Sequence, residues 1–242
     1  MSTEIYHGPQ TEMFIKEIKR RLWLRPKRGK LGRDRSMGFV LGNGESRKGI
    51  DLCVLWEIGP IYGCNALYRD FTPDMLFSMD EGMTWEILEV GYKEDLVYRE
   101  YVNHVATWKL VVNKTGERIT DPGWAAGPTA LHFMCLWEPD IKDIYLVGFD
   151  LFGSNGKINN VYKDTPCYST SDAVPSIDRN WIKTLAQVFE NNPDKNFYRV
   201  GITPDNPDSW KDIKNITFLR KEQFWSSIAR NFSNILNNAL KV

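Results

Sequence analysis

Four short apolar runs, each followed by a polar side chain, constrain the fold of this chain more than any other feature. The side chains that follow these runs are Asn43, Asn65, Asp80 and Asp150. Short apolar runs bounded by turn residues are typical of buried strands. In an open parallel α/β sheet, ligands bind in the crevice outside the carboxyl ends of the strands. Polar residues commonly end strands, so each one alone indicates little, but together they favour one crevice for a nucleotide-sized ligand.

The first run lies in the stretch Met37 to Arg47, MGFVLGNGESR, which predicts a strand, a tight turn and the start of a helix. Glycines at such a turn let backbone N–H groups approach a ligand, and a following helix adds unpaired N–H groups and a positive dipole end. The stretch therefore predicts an anion site at Gly42, Asn43 and Gly44. Arg47 stands where the dinucleotide fingerprint has its third glycine, and the Lys-Ser/Thr pair of a P-loop is missing. A glycine turn between two core elements is an equally good interpretation.

Composition limits the class of protein. The length of 242 residues fits one large domain, or one domain with a small appendage. Lys plus Arg and Asp plus Glu both number 31, so the net charge favours neither nucleic acid nor a membrane. No run approaches the ~20 apolar residues of a membrane helix, so we expect a cytoplasmic protein with no membrane partner. The cysteines Cys53, Cys64, Cys135 and Cys167 form no CxxC pair, which predicts buried free thiols and disfavours zinc.

Periodicity predicts the remaining elements. Helical spacing of apolar residues predicts helices at 11–24, 127–139, 178–190 and 221–241, and residues 50–58 fit either a buried helix or an apolar packing segment. Apolar runs predict further strands at 61–64, 75–79, 108–112, 144–147 and 197–202.

Three parts follow from these elements. Residues 1–36 form an N-terminal helix and basic loop, residues 37–220 form the nucleotide-binding domain with a lid at about 151–175, and residues 221–242 form a C-terminal helix. The run Lys16 to Arg35 contains ten Lys or Arg residues, which fits either a solvated surface or an arm that contacts the phosphates of a nucleic acid or of the bound nucleotide. The apolar stripe of the C-terminal helix predicts core packing or a homo-oligomer interface.

The motifs GFVLGNGES, CNALYRD, GPTALHFMCLW, IYLVGFD and NNVYKDT resemble the bacterial lipooligosaccharide sialyltransferases and a related superfamily of 6-hydroxymethylpterin diphosphokinase-like proteins. Order and spacing match across about residues 38 to 200. The resemblance implies a single Rossmann-like α/β domain with a mostly parallel sheet, helices on both faces and a lid. It also implies a nucleotide-sugar donor bound without a required cofactor or metal. The sequence further resembles uncharacterised proteins of tailed bacteriophages, which would place it in the host cytoplasm.

The resemblance also implies roles for particular residues. Gly42, Asn43, Gly44 and Ser46 of the first motif would face the phosphate and ribose. Pro128 and Thr129 would contact the donor, and Tyr162 would steady the departing phosphate. The nucleotide-binding residues expected on this basis are Gly42, Asn43, Gly44, Glu45, Ser46, Asn65, Gly127, Pro128 and Thr129.

Two departures from the sialyltransferases affect the expected chemistry. Those enzymes use a histidine after the lid as general base, whereas the corresponding segment here has Asp172 and no histidine. Asp80 stands where they have an uncharged polar residue, and an acid near phosphates repels them unless it binds a hydroxyl or a cation such as Mg²⁺. The expected acid–base residues are Asp80, Asp150 or Asp172, with Asp80 as a metal ligand if a cation is used.

The leading hypothesis is a glycosyltransferase-like enzyme that moves a sugar from a nucleotide donor to an acceptor hydroxyl on modified DNA, a glycan or a small metabolite. One alternative is a diphosphokinase of the 6-hydroxymethylpterin type that uses Mg²⁺ and ATP, which Asp80 and the missing histidine favour. Another alternative is a nucleotide-binding protein without catalysis.

Overall fold

The computed structural model of the chain describes residues 36–174, 179–202 and 206–228. Its helices and strands form one nine-stranded sheet with helices on both faces. The expected N-terminal helix and the basic run Lys16 to Arg35 lie outside the described residues, as does the chain beyond residue 228.

The strands are short. They are β1 (Met37–Leu41), β2 (Ile61–Cys64), β3 (Met75–Ser78), β4 (Leu96–Val102), β5 (Val105–Val112), β6 (Glu117–Thr120), β7 (Asp143–Val147), β8 (Asn196–Gly201) and β9 (Ile216–Arg220). The helices are α1 (Leu52–Ile58), α2 (Glu81–Glu89), α3 (Ala126–Trp137), α4 (Arg179–Asn191) and α5 (described over 221–228). Three single 3-10 turns cover Glu45–Arg47, Asn65–Arg69 and Asp208–Trp210.

The sheet has the order β6-β5-β4-β3-β2-β1-β7-β8-β9. Strands β4 to β1 and β7 to β9 are all parallel, whereas β5 and β6 are antiparallel additions at one edge. The chain moves outward from β1 through β2, β3 and β4, then returns to place β7 on the other side of β1. This reversal makes the gap between β1 and β7 a topological switch point. The prediction of a Rossmann-like α/β domain with a mostly parallel sheet is confirmed.

Burial explains why these segments form the central strands. Every residue of β1 is buried, and only Asp143 of β7 is partly exposed, as expected for strands covered on both faces. On one face α1, α2 and α5 pack on the sheet, and on the other face α3 and α4 do so. Gly38 lets α3 approach β1, because a Cβ there would lie 2.8 Å from the Met134 sulfur. Helices therefore cover both faces, as predicted.

Some elements differ from the sequence predictions. Strands β4, β6 and β9 and helix α2 were not predicted. In β4, β6 and α2 charged residues lie among or beside the few apolar ones, whereas β9 is a short apolar run that the sequence analysis did not single out. The helix expected directly after the glycine turn is only the 3-10 turn Glu45–Arg47, and the α-helix begins at Leu52. Asp51 caps that helix by accepting from the Cys53 and Val54 amides.

The predicted burial of all four thiols is wrong. Cys64 and Cys135 are buried, whereas Cys53 and Cys167 are exposed. Cys53 lies on the outer face of α1, and Cys167 lies in the segment that follows β7.

The C-terminal helix begins where the sequence predicted it. Phe224 and Ile228 are buried in the core on the α1 face, so the described part of its apolar stripe serves packing. Within the described ranges, no helix is long and apolar enough to cross a bilayer.

Candidate functional site

A cavity of about 410 Å³ opens at the switch point, at the carboxyl ends of β1, β2, β3 and β7. Its floor is the turn after β1 and the turn after β7. The N-terminus of α3 and the segment around residues 158–169 form its walls. Four polar strand-end residues predicted to share a crevice line this cavity: Asn43, Asn65, Asp80 and Asp150.

The turns after β1 and β7 pack backbone against backbone. The Gly42 amide donates to the Val147 carbonyl over 2.8 Å, and the Gly44 amide donates to the Gly148 carbonyl over 2.8 Å. A Cβ on Gly42 would lie 2.5 Å from the Gly148 carbonyl oxygen, and Gly148 itself has a φ of +75°. These glycines are therefore needed for the close approach of two strand ends.

The expected anion site in this turn stays a prediction, and the acceptors already bound by most of its N–H groups disfavour it. Besides the Gly44 amide, the Glu45 amide donates to Asn159 Oδ1 over 2.7 Å, and the Ser46 amide donates to Asp150 Oδ2 over 2.7 Å. An anion would have to displace a carbonyl, an amide and a carboxylate from these donors. Of the two interpretations of the glycine turn, core packing is the one that the structure supports.

The N-terminus of α3 instead presents donors to the cavity. Its N-cap is Ala125, with extended backbone and no capping side chain, and Ala125, Ala126, Gly127 and Pro128 all line the cavity. Proline has no N–H group, so the open donors of the first turn are those of Ala126 and Gly127. Together with the helix dipole, these donors favour an anion at this point.

Two asparagines that line the same cavity each have an amide oxygen without a described partner. Asn43 Nδ2 donates to the Cys64 carbonyl over 3.2 Å and to the Tyr168 hydroxyl over 2.9 Å. Asn65, held at a φ of +50°, donates from Nδ2 to Asp80 Oδ2 over 2.9 Å. Both Oδ1 atoms are buried without a partner in the part of the chain that the structure describes. Buried acceptors without a partner are costly, so these two oxygens indicate a ligand that supplies donors.

The expected lid is tied to the body of the protein. The Tyr162 hydroxyl accepts from Arg47 over 2.9 Å and donates to Asp70 Oδ2 over 2.6 Å. Arg69 donates to the Thr165 hydroxyl and to the Pro166 carbonyl. The segment around residues 159–169 is therefore a fixed wall of the cavity.

The predicted site residues fall into two groups. Eight of them line the cavity: Gly42, Asn43, Gly44, Asn65, Asp80, Gly127, Pro128 and Asp150. Five do not: Glu45, Ser46, Thr129, Tyr162 and Asp172. Glu45 pairs with Lys48 and Lys163 at the surface, Ser46 and Thr129 are buried, and Asp172 is exposed. Tyr162 is engaged with Arg47 and Asp70, as described above.

The sequence analysis missed three residues of the site. Tyr168 positions the Asn43 amide, Asn159 accepts from the Glu45 amide, and Trp181 of α4 forms part of the cavity wall. A signal for the first two was available in the polar segment after β7, where asparagines and tyrosines are concentrated. Trp181 gave no such signal, because helical periodicity assigns it to packing.

The site lining is acidic. Asp80 and Asp150 line the cavity, and its described lining contains no Lys, Arg or His. Burial raises the pKa of the Cys64 thiol to about 12. Cys167 is exposed as a residue, but its sulfur is partly buried, and this burial together with Glu86 raises the pKa of its thiol to about 11. Burial also raises the pKa of Tyr168 well above its ordinary value. These groups are therefore protonated at neutral pH, which leaves the two carboxylates as the bases of the cavity.

The described residues contain no group of three or more His, Cys, Asp or Glu side chains that could hold a metal ion. A cation at Asp80 would therefore need further ligands from the bound molecule.

The fold and the cavity define an open α/β protein with a ligand site at the switch point of a Rossmann-like sheet. The chain is similar in structure to the sialyltransferase CstII from Campylobacter jejuni, which was analysed in complex with a substrate analogue, cytidine-5'-monophosphate. The two chains are 16% identical, the similarity covers 77% of this chain and 86% of that chain, and the TM-score is 0.37. No family model and no curated protein matches the chain.

Proposed function

We propose that the cavity binds a nucleotide sugar and that the protein transfers the sugar to an acceptor hydroxyl. One observation carries this proposal: the open N-terminus of α3 lines the same switch-point cavity as Asn43 and Asn65, whose amide oxygens have no partner among the described residues. A nucleotide sugar combines an anion with several hydroxyl donors, which matches both features. The resemblance of the sequence motifs to sialyltransferases points to the same reaction class.

In this proposal the phosphate lies at the first turn of α3. The amides of Ala126 and Gly127 donate to its oxygens, and the helix dipole offsets part of its charge. The oxygens of Asn43 and Asn65 accept from hydroxyl groups of the ligand, which removes the cost of leaving them unpaired. Tyr168 acts as a positioning residue, because its hydroxyl fixes the direction of the Asn43 amide.

Asp80 is the best placed general base. Its side chain is exposed at the cavity, and Asn65 is its one described hydrogen-bond partner, whereas Asp150 already accepts from the Ser46 amide. Asp172 lies outside the lining. In the transfer step, the acceptor oxygen bonds to the anomeric carbon as its proton passes to Asp80. The bond from that carbon to the phosphate oxygen breaks, and the nucleotide leaves with the electron pair.

The phosphate position is tested by giving α3 an N-cap. Ala125 has the extended backbone of an N-cap residue, so Ala125→Asn and Ala125→Asp should each stabilise the protein by about 1 kcal/mol in urea denaturation. Because an N-cap side chain accepts from the second or third amide of the helix and the third residue here is Pro128, both changes should engage the Gly127 amide that the phosphate would use, and the aspartate also repels the phosphate. Calorimetric titration with cytidine, uridine, guanosine and adenosine nucleotides and their sugars should therefore show weaker binding in both variants, and weakest in Ala125→Asp.

Two results would contradict the proposal. Failure of every nucleotide and nucleotide sugar to bind the wild-type protein would exclude a nucleotide site. Unchanged affinity in Ala125→Asp would exclude α3 as the phosphate position.

A diphosphokinase that uses Mg²⁺ and ATP is the second candidate, and the acidic lining favours it. Mg²⁺ commonly binds through one or two carboxylates plus substrate phosphates, so Asp80 could hold a cation that ATP brings with it. This function predicts ATP binding that requires Mg²⁺, that EDTA abolishes and that Asp80→Ala weakens. ATP affinity that is equal with Mg²⁺ and with EDTA would reject it.

A binding protein without catalysis remains the third alternative from the sequence analysis. It predicts tight nucleotide binding with no transfer to any acceptor, water included. Contact with nucleic acid through Lys16 to Arg35 and homo-oligomer formation stay predictions, as does the expectation that no cofactor is required.

A further inference from the structure

We propose that the transferred group is an uncharged or amine-bearing sugar, and that Asp80 discriminates against sugars that carry a carboxylate. This inference rests on the proposed function and specifies its substrate class.

The charge around the cavity is the first observation. Both ionised side chains in the described lining are carboxylates, Asp80 after β3 and Asp150 after β7. Because β3 and β7 lie on opposite sides of β2 and β1 in the sheet, the two carboxylates stand toward opposite ends of the cavity. A sugar carboxylate would therefore face a like charge at either end.

Three cations close to the cavity wall are already engaged in contacts. Lys163 Nζ lies 3.1 Å from Glu45 Oε1, and Arg47 donates to the Tyr162 hydroxyl. Arg69 Nη2 lies 2.6 Å from Glu86 Oε1. None of these three residues lines the cavity. Recruiting one of them to a sugar carboxylate would break a contact that fixes the wall.

The cavity has two chemically different ends. Toward β7 and α4 its lining is apolar, with Phe149, Leu151, Trp181 and Leu185, which fits a planar base. Toward β2 and β3 the lining is more polar, with Asn65 and the exposed residues Asp80 and Cys167. The transferred sugar must meet an acceptor that arrives from solvent, so the sugar belongs at the polar end, beside Asp80.

The side chains beside Asp80 add no positive charge. Asn65 donates one N–H to Asp80, and its Oδ1 has no partner among the described residues. A carboxylate pairs well with sugar hydroxyls or an ammonium group. A sugar carboxylate would place a second negative charge beside Asp80, and the described lining has no Lys, Arg or His to offset it.

Matched donors test this inference. Binding is measured by calorimetry in EDTA, so that no divalent cation bridges two carboxylates. Donors that share a nucleotide are compared: UDP-glucose with UDP-glucuronate, and GDP-mannose with GDP-mannuronate. For cytidine, CMP alone is compared with CMP-sialic acid. We expect the acidic sugar to raise the Kd at least tenfold in whichever series binds.

Asp80→Asn removes the charge and keeps the shape of the side chain. This variant should reduce the ratio of the two Kd values at least threefold. Asp140→Asn, an equal change at an exposed site outside the cavity, should leave the ratio unchanged.

The possible outcomes distinguish failure of the proposed function from failure of the inference about the sugar. If no nucleotide binds, the proposed function fails and this inference fails with it. If nucleotides bind but an acidic donor binds as tightly as its neutral partner, only the inference fails. A discrimination that survives unchanged in Asp80→Asn overturns the role given to Asp80.

Discussion

Replacing Arg69 by methionine should lower the stability of the protein and should also remove contacts that hold the segment around residues 159–169 in the cavity wall. Arg69 and Glu86 are each 5% exposed, and they form a two-point ion pair with Arg69 Nε and Nη2 at 2.9 and 2.6 Å from Glu86 Oε1. The hydrogen bonds and charge of Glu86 raise the pKa of Arg69 above its ordinary value, although burial acts in the opposite direction. The same guanidinium donates to the Thr165 hydroxyl over 2.8 Å and to the Pro166 carbonyl over 3.0 Å.

The loss of stability in Arg69→Met depends on the Glu86 carboxylate that the substitution leaves without its cation. Methionine fills part of the space but leaves the Glu86 carboxylate buried without its cation, and Tyr68 then becomes its main hydrogen-bond donor. Removing one partner of a buried ion pair typically costs about 3–5 kcal/mol, a large part of the ~5–15 kcal/mol of a whole domain. Two hydrogen bonds to the wall segment disappear as well, so nucleotide affinity should fall through the loss of Tyr168 and Asn43 positioning.

Urea denaturation of Arg69→Met, Glu86→Leu and the double variant measures the coupling. Replacing both partners removes the unpaired charge, so the double variant should be at least about 1 kcal/mol more stable than the sum of the single effects predicts. Single variants that each lose less than about 1 kcal/mol, or effects that simply add, would refute the assignment of the pair as the anchor of the wall.

Three further predictions concern single positions. Gly148→Ala should cost about 1–3 kcal/mol more in urea denaturation than Gly156→Ala, because both have a positive φ but only the former Cβ meets a backbone oxygen, at 2.7 Å; equal costs would contradict the close approach of the two turns. Tyr168→Phe should weaken nucleotide binding about 3–10-fold and cost about 1 kcal/mol of stability, because the Asn43 amide loses one of its acceptors, whereas Tyr198→Phe, outside the cavity, should leave nucleotide binding unchanged. Alkylation of Cys167, followed by peptide mass spectrometry, should accelerate about tenfold per pH unit from pH 7 to 10, because its pKa is raised to about 11; a rate that levels off below pH 9 would contradict this.

The sequence was sufficient to predict the central sheet, because burial on both faces makes strands such as β1 and β7 almost wholly apolar. It also located the strand-end residues, since the carboxyl ends of parallel strands necessarily share one edge of the sheet. Asn43, Asn65, Asp80 and Asp150 accordingly lie in one cavity. Local pattern and topology are enough for predictions of this kind.

The antiparallel edge and the wall contacts could not be predicted in the same way. Strand β4 carries Arg99 and Glu100 within its apolar residues, because Arg99 pairs with Asp121 and also donates to the Trp124 carbonyl near the start of α3. Tyr162 lies in a polar segment that suggested a mobile lid, and its ring packs between Arg47 and Arg69. Each of these contacts joins residues distant in sequence, so no local pattern encodes them.

Long-range packing also explains why the glycine turn packs against β7 while the amides at the start of α3 stay open. A turn whose amides bind phosphate must leave them open, but here the close approach of β1 and β7 draws the amides of Gly44 and Ser46 onto Gly148 and Asp150. The helix that can accept the anion is α3, which enters the sequence only after the antiparallel strands and then packs across β1, β2 and β3. In the proposed site the phosphate therefore lies at a helix that begins some eighty residues after the glycine turn. Such a site needs neither the dinucleotide fingerprint nor a P-loop, since each of those motifs places strand, turn and helix in one continuous stretch.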